Sequence, residues 1–303
     1  MNQLSERDLP PGRHRLLKEH LMTEIRREQH GPTTSVPRRR GWLRPAIVVA
    51  AVAGAAAVTF TVLPSSGDSG RPASSKQAVR LLENVALAAD KTDASTGIRD
   101  DQFVYIKSKN AYTSQVNNGS QKLGPVRERE IWLSVDGKHP GLLEDRREGV
   151  GREVLKPGLP DGERAANYRA LSKLPTDPDK MRDWLYRVSS KQVDDERSDR
   201  DYAAFVLFGD MIKESLMPPK VSAALYRAAA KIPGVQVTEN VKDSVGRVGI
   251  AVTLRSGHGR EEQIFDAKAY TYLGERVVDE NGKLRGTSAV LERAVVDKAG
   301  QRP

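Results

Sequence analysis

Residues 235–278, VQVTENVKDSVGRVGIAVTLRSGHGREEQIFDAKAYTYLGERVV, decide the fold of the larger part of this chain. Apolar and polar residues alternate there with a period of two, which predicts β-strands that each have one buried face. Four strands are indicated, at 235–241, 245–254, 261–265 and 270–278. Because the turns between them are short, neighbouring strands must pair antiparallel, and the stretch predicts an antiparallel meander.

The flanking regions extend this pattern to an α+β domain. Two strands at 102–109 and 129–135 and a last strand at 288–296 show the same alternation, and helical periodicity follows Ser75, Asp177, Asp201 and Pro218. This order of elements predicts a mostly antiparallel sheet covered by helices on one face. Residues 137–176 lack a clear period and predict a surface loop or an irregular flap. Trp132 and Trp184 lie on patterned apolar faces and are predicted to be core residues.

Residues 46–63, AIVVAAVAGAAAVTFTVL, carry no charge. As a helix they would reach about 27 Å, close to the hydrocarbon thickness of a bilayer, and this predicts a single transmembrane helix. The anchor at its start combines an interfacial aromatic side chain with a basic cluster: Arg38, Arg39, Arg40, Trp42 and Arg44. The excess of basic residues on this side predicts that it faces the cytoplasm. A cleaved export signal, with Arg39-Arg40 as a twin-arginine motif, is the alternative for this segment.

The predicted topology divides the chain into four parts. Residues 1–44 form a cytoplasmic tail, 45–63 the membrane span, 64–75 a flexible tether rich in Gly, Ser and Pro, and 76–303 an extracytoplasmic α+β domain. We therefore expect the protein in the cell membrane, with its N-terminal side in the cytoplasm.

The tail contains one amphipathic helical pattern. Its apolar stripe consists of Leu17, Leu21, Met22 and Ile25. One such helix cannot bury its own stripe, so it is expected to dock on a cytoplasmic protein or to lie on the inner leaflet; a frayed tail is the third alternative. The tail holds ten Lys and Arg against five Asp and Glu. Beside a membrane this charge favours anionic lipid, and no nucleic-acid partner is predicted.

The composition restricts the chemistry that this chain can perform. The 303 residues contain no Cys, which excludes disulfides, thiol catalysis and thiolate metal ligands. The nucleotide-binding, serine-hydrolase and zinc-protease motifs are missing as well. The acidic runs at 144–148 and 194–201 are predicted to be solvated. No catalytic residue, cofactor or metal ligand is therefore predicted.

Several stretches together resemble one known family. They are LPPGRHRLLKEHLMTEI at 9–25, IWLSVDG at 131–137, LPTDP at 174–178, LMPPKVSAALYRAAAKIPGV at 216–235 and IFDAKAYTYLGERVV at 264–278. The family is an uncharacterised group of actinobacterial single-pass membrane proteins, often encoded beside extracytoplasmic-function sigma factors. The resemblance implies an anti-sigma-like or envelope-signalling role, with a sigma factor as the cytoplasmic partner.

Two functions follow as expectations. The first is a non-enzymatic membrane protein whose outer domain senses or binds an envelope ligand of unknown identity, while the tail engages a cytoplasmic protein. The second is a carrier-like module that holds a lipid or a peptide between sheet and helices. A large apolar cavity at that interface would favour the carrier, and a tightly packed core would favour the sensor.

Overall fold

The computed structural model describes residues 71–92, 97–115, 121–146, 151–158, 165–190, 199–257 and 259–303. They all belong to the second of two units into which the chain divides, Ser65–Pro303. No helix within these ranges has the length and apolar character needed to cross a bilayer. The predicted span, 45–63, lies outside the described residues.

Ten strands form one antiparallel sheet in the described part of the chain. The order across it is β5-β4-β3-β1-β10-β9-β8-β7-β6, and β2 pairs with the far end of β1. The first strand therefore lies beside the last, which joins the early strands to the predicted meander. The strands are β1 Phe103–Gln115, β2 Gln121–Leu123, β3 Arg127–Ser134, β4 Gly141–Asp145, β5 Gly151–Leu155, β6 Gln236–Lys242, β7 Val248–Ser256, β8 Gly259–Phe265, β9 Tyr272–Asp279 and β10 Leu284–Val296.

The helices begin and end at residues with clear capping chemistry. The Ser75 side chain accepts a hydrogen bond from the Ala78 amide at 3.1 Å, and Asp199 accepts one from the Tyr202 amide in the same way. Pro218 and Pro219 start the last helix. The described helices are α1 Lys76–Asp90, α2 Tyr168–Leu171, α3 Pro178–Ser190, α4 Arg200–Glu214 and α5 Pro219–Ala229.

The main core lies between these helices and one face of the sheet. At its centre are five aromatic rings joined by four ring contacts, here named the aromatic cluster, with neighbouring ring centroids 5.6–6.0 Å apart. None of its side chains is more than 8% exposed. Its members are Phe205, Phe208, Tyr226, Phe265 and Tyr272. The prediction of an α+β domain with a large antiparallel sheet and helices is thus confirmed.

A smaller apolar cluster lies on the opposite face of the sheet, around Trp132 and Tyr105. The segment after β10 packs back on it. The Trp132 indole donates to the Gln301 carbonyl, and Arg302 lies over its ring at 5.9 Å while donating to both oxygens of Glu130 at 2.9 and 2.7 Å. Trp132 is fully buried and Trp184 is 7% exposed, so both are core residues as predicted.

Two regions are more ordered than their composition indicates. Residues 137–176, predicted as a loop or flap, contain β4, β5 and α2. Residues 71–75, assigned to the tether, are bonded to the domain: Arg71 donates to Asp199 and to the Arg255 carbonyl, and the Ser75 amide donates to Val235. The folded domain therefore includes residues from 71 onward, and the tether residues 64–70 lie outside the described part.

Candidate functional site

A row of polar side chains crosses four neighbouring strands on the helix-covered face of the sheet. Gln263 of β8 lies opposite Glu275 of β9, Glu275 opposite Ser288 of β10, and Ser288 opposite Asn110 of β1. We call these four residues the polar row. Gln263, Glu275 and Ser288 are between 0% and 3% exposed. Charged and amide side chains this deep in a core are uncommon, so the row needs a physical explanation.

Helix α4 places a lysine directly against the row. The Lys213 Nζ lies 2.8 Å from Glu275 Oε1 and 3.8 Å from Asp210 Oδ1. The Tyr112 hydroxyl donates to the same Glu275 oxygen at 2.8 Å. Because both members of the Lys213–Glu275 pair are buried, the pair gains little net stability over an apolar contact, but losing one partner would leave an uncompensated charge.

The ionisation states of the donors to Glu275 follow from this arrangement. Burial by itself would lower the pKa of Lys213, but the nearby carboxylates of Glu275 and Asp210 hold that pKa well above the ordinary value. Burial and the Glu275 charge raise the pKa of Tyr112. The lysine therefore stays charged and the phenol stays protonated, so both remain donors to Glu275.

Glu261 is the unusual member of the site. It lies two residues before Gln263 on β8 and so on the same face of the sheet, and it is 8% exposed. Burial, together with repulsion from Glu275 and Asp210, raises the pKa of its carboxyl to about 8, although Lys213 acts in the opposite direction. Within the described ranges no ion pair or hydrogen bond engages this carboxyl group. Glu261 is therefore mainly a neutral acid at neutral pH.

Several buried polar atoms near α4 have no hydrogen-bond partner among the described protein atoms. They are Gln263 Nε2, Ser288 Oγ, Asn110 Oδ1 and Arg129 Nη2. Each such atom typically costs the fold about 1–3 kcal/mol. The Arg129 guanidinium also contacts Glu214 near the end of α4, at 3.4 Å. The polar row and its surroundings thus lower the stability of the core.

A second, half-buried cation lies beneath the C-terminal end of α4. Arg293 of β10 donates to the carbonyls of Ile212 and Lys213, where the helix leaves its last acceptors unpaired. Its guanidinium lies 5.8 Å from the centre of the Tyr272 ring. Burial lowers the pKa of Arg293, and the Tyr226 and Tyr272 hydroxyls oppose that effect. The negative end of the helix dipole is thus held against the sheet.

This arrangement holds ionisable groups inside the core and does not present them to a substrate. Glu261, Gln263 and Glu275 are each at most 8% exposed, so these groups lie in the core and are not freely accessible. No group of three or more His, Cys, Asp or Glu side chains in the described part has the geometry of a metal site. On the other face, a pocket of about 230 Å³ is lined by Glu128, Glu130, Glu144, Asp145, Arg146, Gly151 and Arg152.

The structure corrects two predictions about charged runs. Asp201 was expected in a solvated loop, but it is 3% exposed in the first turn of α4 and accepts a hydrogen bond from Tyr186 at 2.6 Å. Asp145 was also expected in solvent, yet it is 3% exposed on β4. Asp201 lies at the start of a helix and Asp145 lies in a paired strand, and composition alone reveals neither position.

The residues named as sites from the sequence lie elsewhere. The stripe and the anchor are outside the described residues: Leu17, Leu21, Met22, Ile25, Arg38, Arg39, Arg40, Trp42 and Arg44. The buried cluster around Lys213 was missed. One signal was available, because Glu261, Gln263 and Phe265 share one face of a strand and Phe265 is plainly a core residue.

Comparisons with known proteins give distant structural likenesses. A crystal structure of MucB is 16% identical with a TM-score of 0.28, and the match covers 74% of this chain and 60% of that one. The Pseudomonas aeruginosa MucA/MucB complex gives 14% identity, a TM-score of 0.23, and coverage of 74% and 58%. A LolA superfamily protein from Nitrosomonas europaea is 8% identical with a TM-score of 0.20, and the match covers 73% of this chain and 94% of that one. No family model and no curated protein matches the sequence. This chain spans about 60% of the length of MucB.

Proposed function

We propose that this chain is a non-enzymatic, single-pass membrane protein whose outer α+β domain senses a condition in the cell envelope. Its tail, residues 1–44, binds a cytoplasmic protein, with a sigma factor as the leading candidate. The observation that carries the proposal is the closed interface between helices and sheet, which holds ionisable groups but offers them to no substrate.

The packing of α4 supports a sensor more than a carrier. Phe205 and Phe208 are fully buried and contact each other, and Phe208 also contacts Tyr226 of α5. A cargo molecule would have to displace these rings, at a cost of several kcal/mol for each large side chain removed from a packed core. A change of charge in the same place needs no such displacement.

The tail supplies the second half of the proposal. The stripe of Leu17, Leu21 and Ile25 would present one apolar face to a groove on the partner. Its basic neighbours suit a position close to anionic lipid. A signal would pass from the outer domain through the predicted span to this helix.

The test uses the full chain expressed in its own membrane and captured through an epitope tag. Leu21→Asp places a charge in the stripe and should abolish recovery of the cytoplasmic partner. Thr23→Asp, on the opposite side of the same helix, adds the same charge and should leave recovery unchanged. Equal recovery by the native chain and Leu21→Asp would contradict the proposed function.

A carrier for an amphiphilic lipid or peptide is the second candidate. It is favoured by the unpartnered polar atoms of Gln263, Ser288 and Asn110, which lie beside apolar and aromatic side chains as the site for an amphiphile would require. Native mass spectrometry of the full chain, extracted from its own membrane, should then show one bound species of constant mass. Release of only the bare chain would count against this function.

A further inference from the structure

We propose that Glu261 is a proton-binding switch, and that loss of its proton loosens the contact of the C-terminal half of α4 with β8 and β9. The inference rests on the proposed function, since it names the proton as the condition that the outer domain senses. Its geometric basis is a carboxyl group that is 8% exposed on the helix-covered face of β8 and forms no ion pair within the described residues.

The charged and titratable groups around Glu261 come from five elements. Tyr202, Asp210 and Lys213 of α4 and Glu275 of β9 interact with Glu261 itself. The wider cluster adds Glu214 of α4, Tyr112 of β1, Arg129 of β3 and Arg293 of β10. Every cation in this set is committed to another group. Lys213 forms ion pairs with Glu275 and Asp210, and Arg129 forms one with Glu214. Arg293 donates to a main-chain carbonyl of α4.

The positive and negative charges of the cluster therefore balance only while the Glu261 carboxyl is neutral. Deprotonation adds a carboxylate near Glu275 and Asp210 without adding a cation. In a buried environment such like charges repel strongly, and solvation is the only relief. Glu261 is only 8% exposed, so fuller solvation of the carboxylate requires α4 to move away from the strands beneath it.

The two ends of α4 differ in how they would respond. The N-terminal end is held by Asp199, which receives Arg71 and the Tyr202 amide, and by the hydrogen bond from Tyr186 to Asp201. The C-terminal half is held by the ionic contacts of Lys213 and Arg293, which belong to the cluster itself. Opening should therefore begin at the C-terminal half.

Hydrogen–deuterium exchange of the full chain in lipid nanodiscs tests the switch at pH 6 and pH 8, with rates corrected for intrinsic exchange. If the carboxyl returns to its ordinary proton affinity when α4 opens, protection in the C-terminal half of α4 should fall by up to about 50-fold between these pH values. Glu261→Gln should remove this fall. The control Glu239→Gln, at an exposed position on β6, should behave as the native chain does.

Two results would overturn the inference: a native chain with pH-independent protection in α4, or the same fall in Glu261→Gln. The first requires no variant and so does not depend on how well the variant folds. The capture experiment with Leu21→Asp involves neither Glu261 nor pH. A chain that responds to pH in α4 but captures the same proteins with and without an intact stripe would keep the switch and lose the proposed function.

Discussion

Replacing Glu261 with Gln should make this protein more stable at neutral pH. Gln keeps the shape and the polarity of the protonated acid but cannot ionise. The native carboxyl holds its proton more tightly in the folded chain than in the unfolded chain, because its folded pKa is about 8 and its ordinary value is 4.5. The native protein must therefore lose stability as pH rises from about 4.5 to about 8, and the variant must not lose this part.

The size of the effect follows from the same two pKa values. At pH 7 the unfolded chain has released this proton almost completely, whereas the folded chain mostly retains it. Each factor of ten in proton affinity is worth about 1.4 kcal/mol, so the free energy of unfolding falls by about 3 kcal/mol between acid and pH 7. We expect Glu261→Gln to exceed the native chain by this amount at pH 7 and to match it near pH 4.5.

Urea unfolding of the full chain in a non-ionic detergent, followed by tryptophan fluorescence, measures this difference. Trp132 and Trp184 are buried in the folded domain and report its unfolding directly. Glu239→Gln removes an exposed carboxylate and should follow the native curve at every pH. A stability gain that is the same at pH 4.5 and pH 7, or a loss at pH 7, would refute the reasoning about a buried neutral acid.

Other positions give independent tests. Lys213→Met should destabilise the fold by about 3–5 kcal/mol in the same urea assay, because it strands a buried carboxylate. Gly209→Ala should cost about 1–3 kcal/mol, since the added Cβ would lie 2.2 Å from Gln263 Nε2 and force that buried amide to move. Arg302→Ala should lower the free energy of unfolding, because it removes two donors from the buried Glu130 carboxylate, and it should increase quenching of Trp132 by acrylamide because the guanidinium covers that indole.

The sheet could be predicted because its strands obey a simple period. The meander was recognised from alternation alone, and the structure shifts its boundaries by a few residues, as with the strand predicted at 245–254 and found at Val248–Ser256. The early strand β4 was missed because GLLED buries Leu142 and Leu143 on opposite faces of the sheet, which erases the alternation. Turn-rich composition around it then favoured a loop.

The buried cluster was harder to predict, because it depends on contacts between distant parts of the sequence. Lys213 and Glu275 meet only once α4 is packed on β9, and no local pattern pairs them. Charged residues are usually assigned to the solvent, and the sequence predicted only that Glu261 begins a strand. Because side chains alternate along a strand, Glu261 shares the face of Phe265, and the burial of Phe265 indicates that Glu261 also faces the core. The register that aligns Gln263, Glu275 and Ser288 is a tertiary property.

The position of the cluster connects it to the start of the domain. Apolar residues of similar volume would make this core at least as stable, so the retained charges favour a functional rather than a structural origin. Helix α4 carries Lys213 near one end and its cap, Asp199, at the other, and Asp199 receives the Arg71 side chain. Arg71 also donates to the Arg255 carbonyl at the end of β7. A displacement of α4 would therefore act on Arg71, the first described residue, which lies within the predicted tether. That contact links the proposed proton signal to the segment that joins the domain to the predicted span.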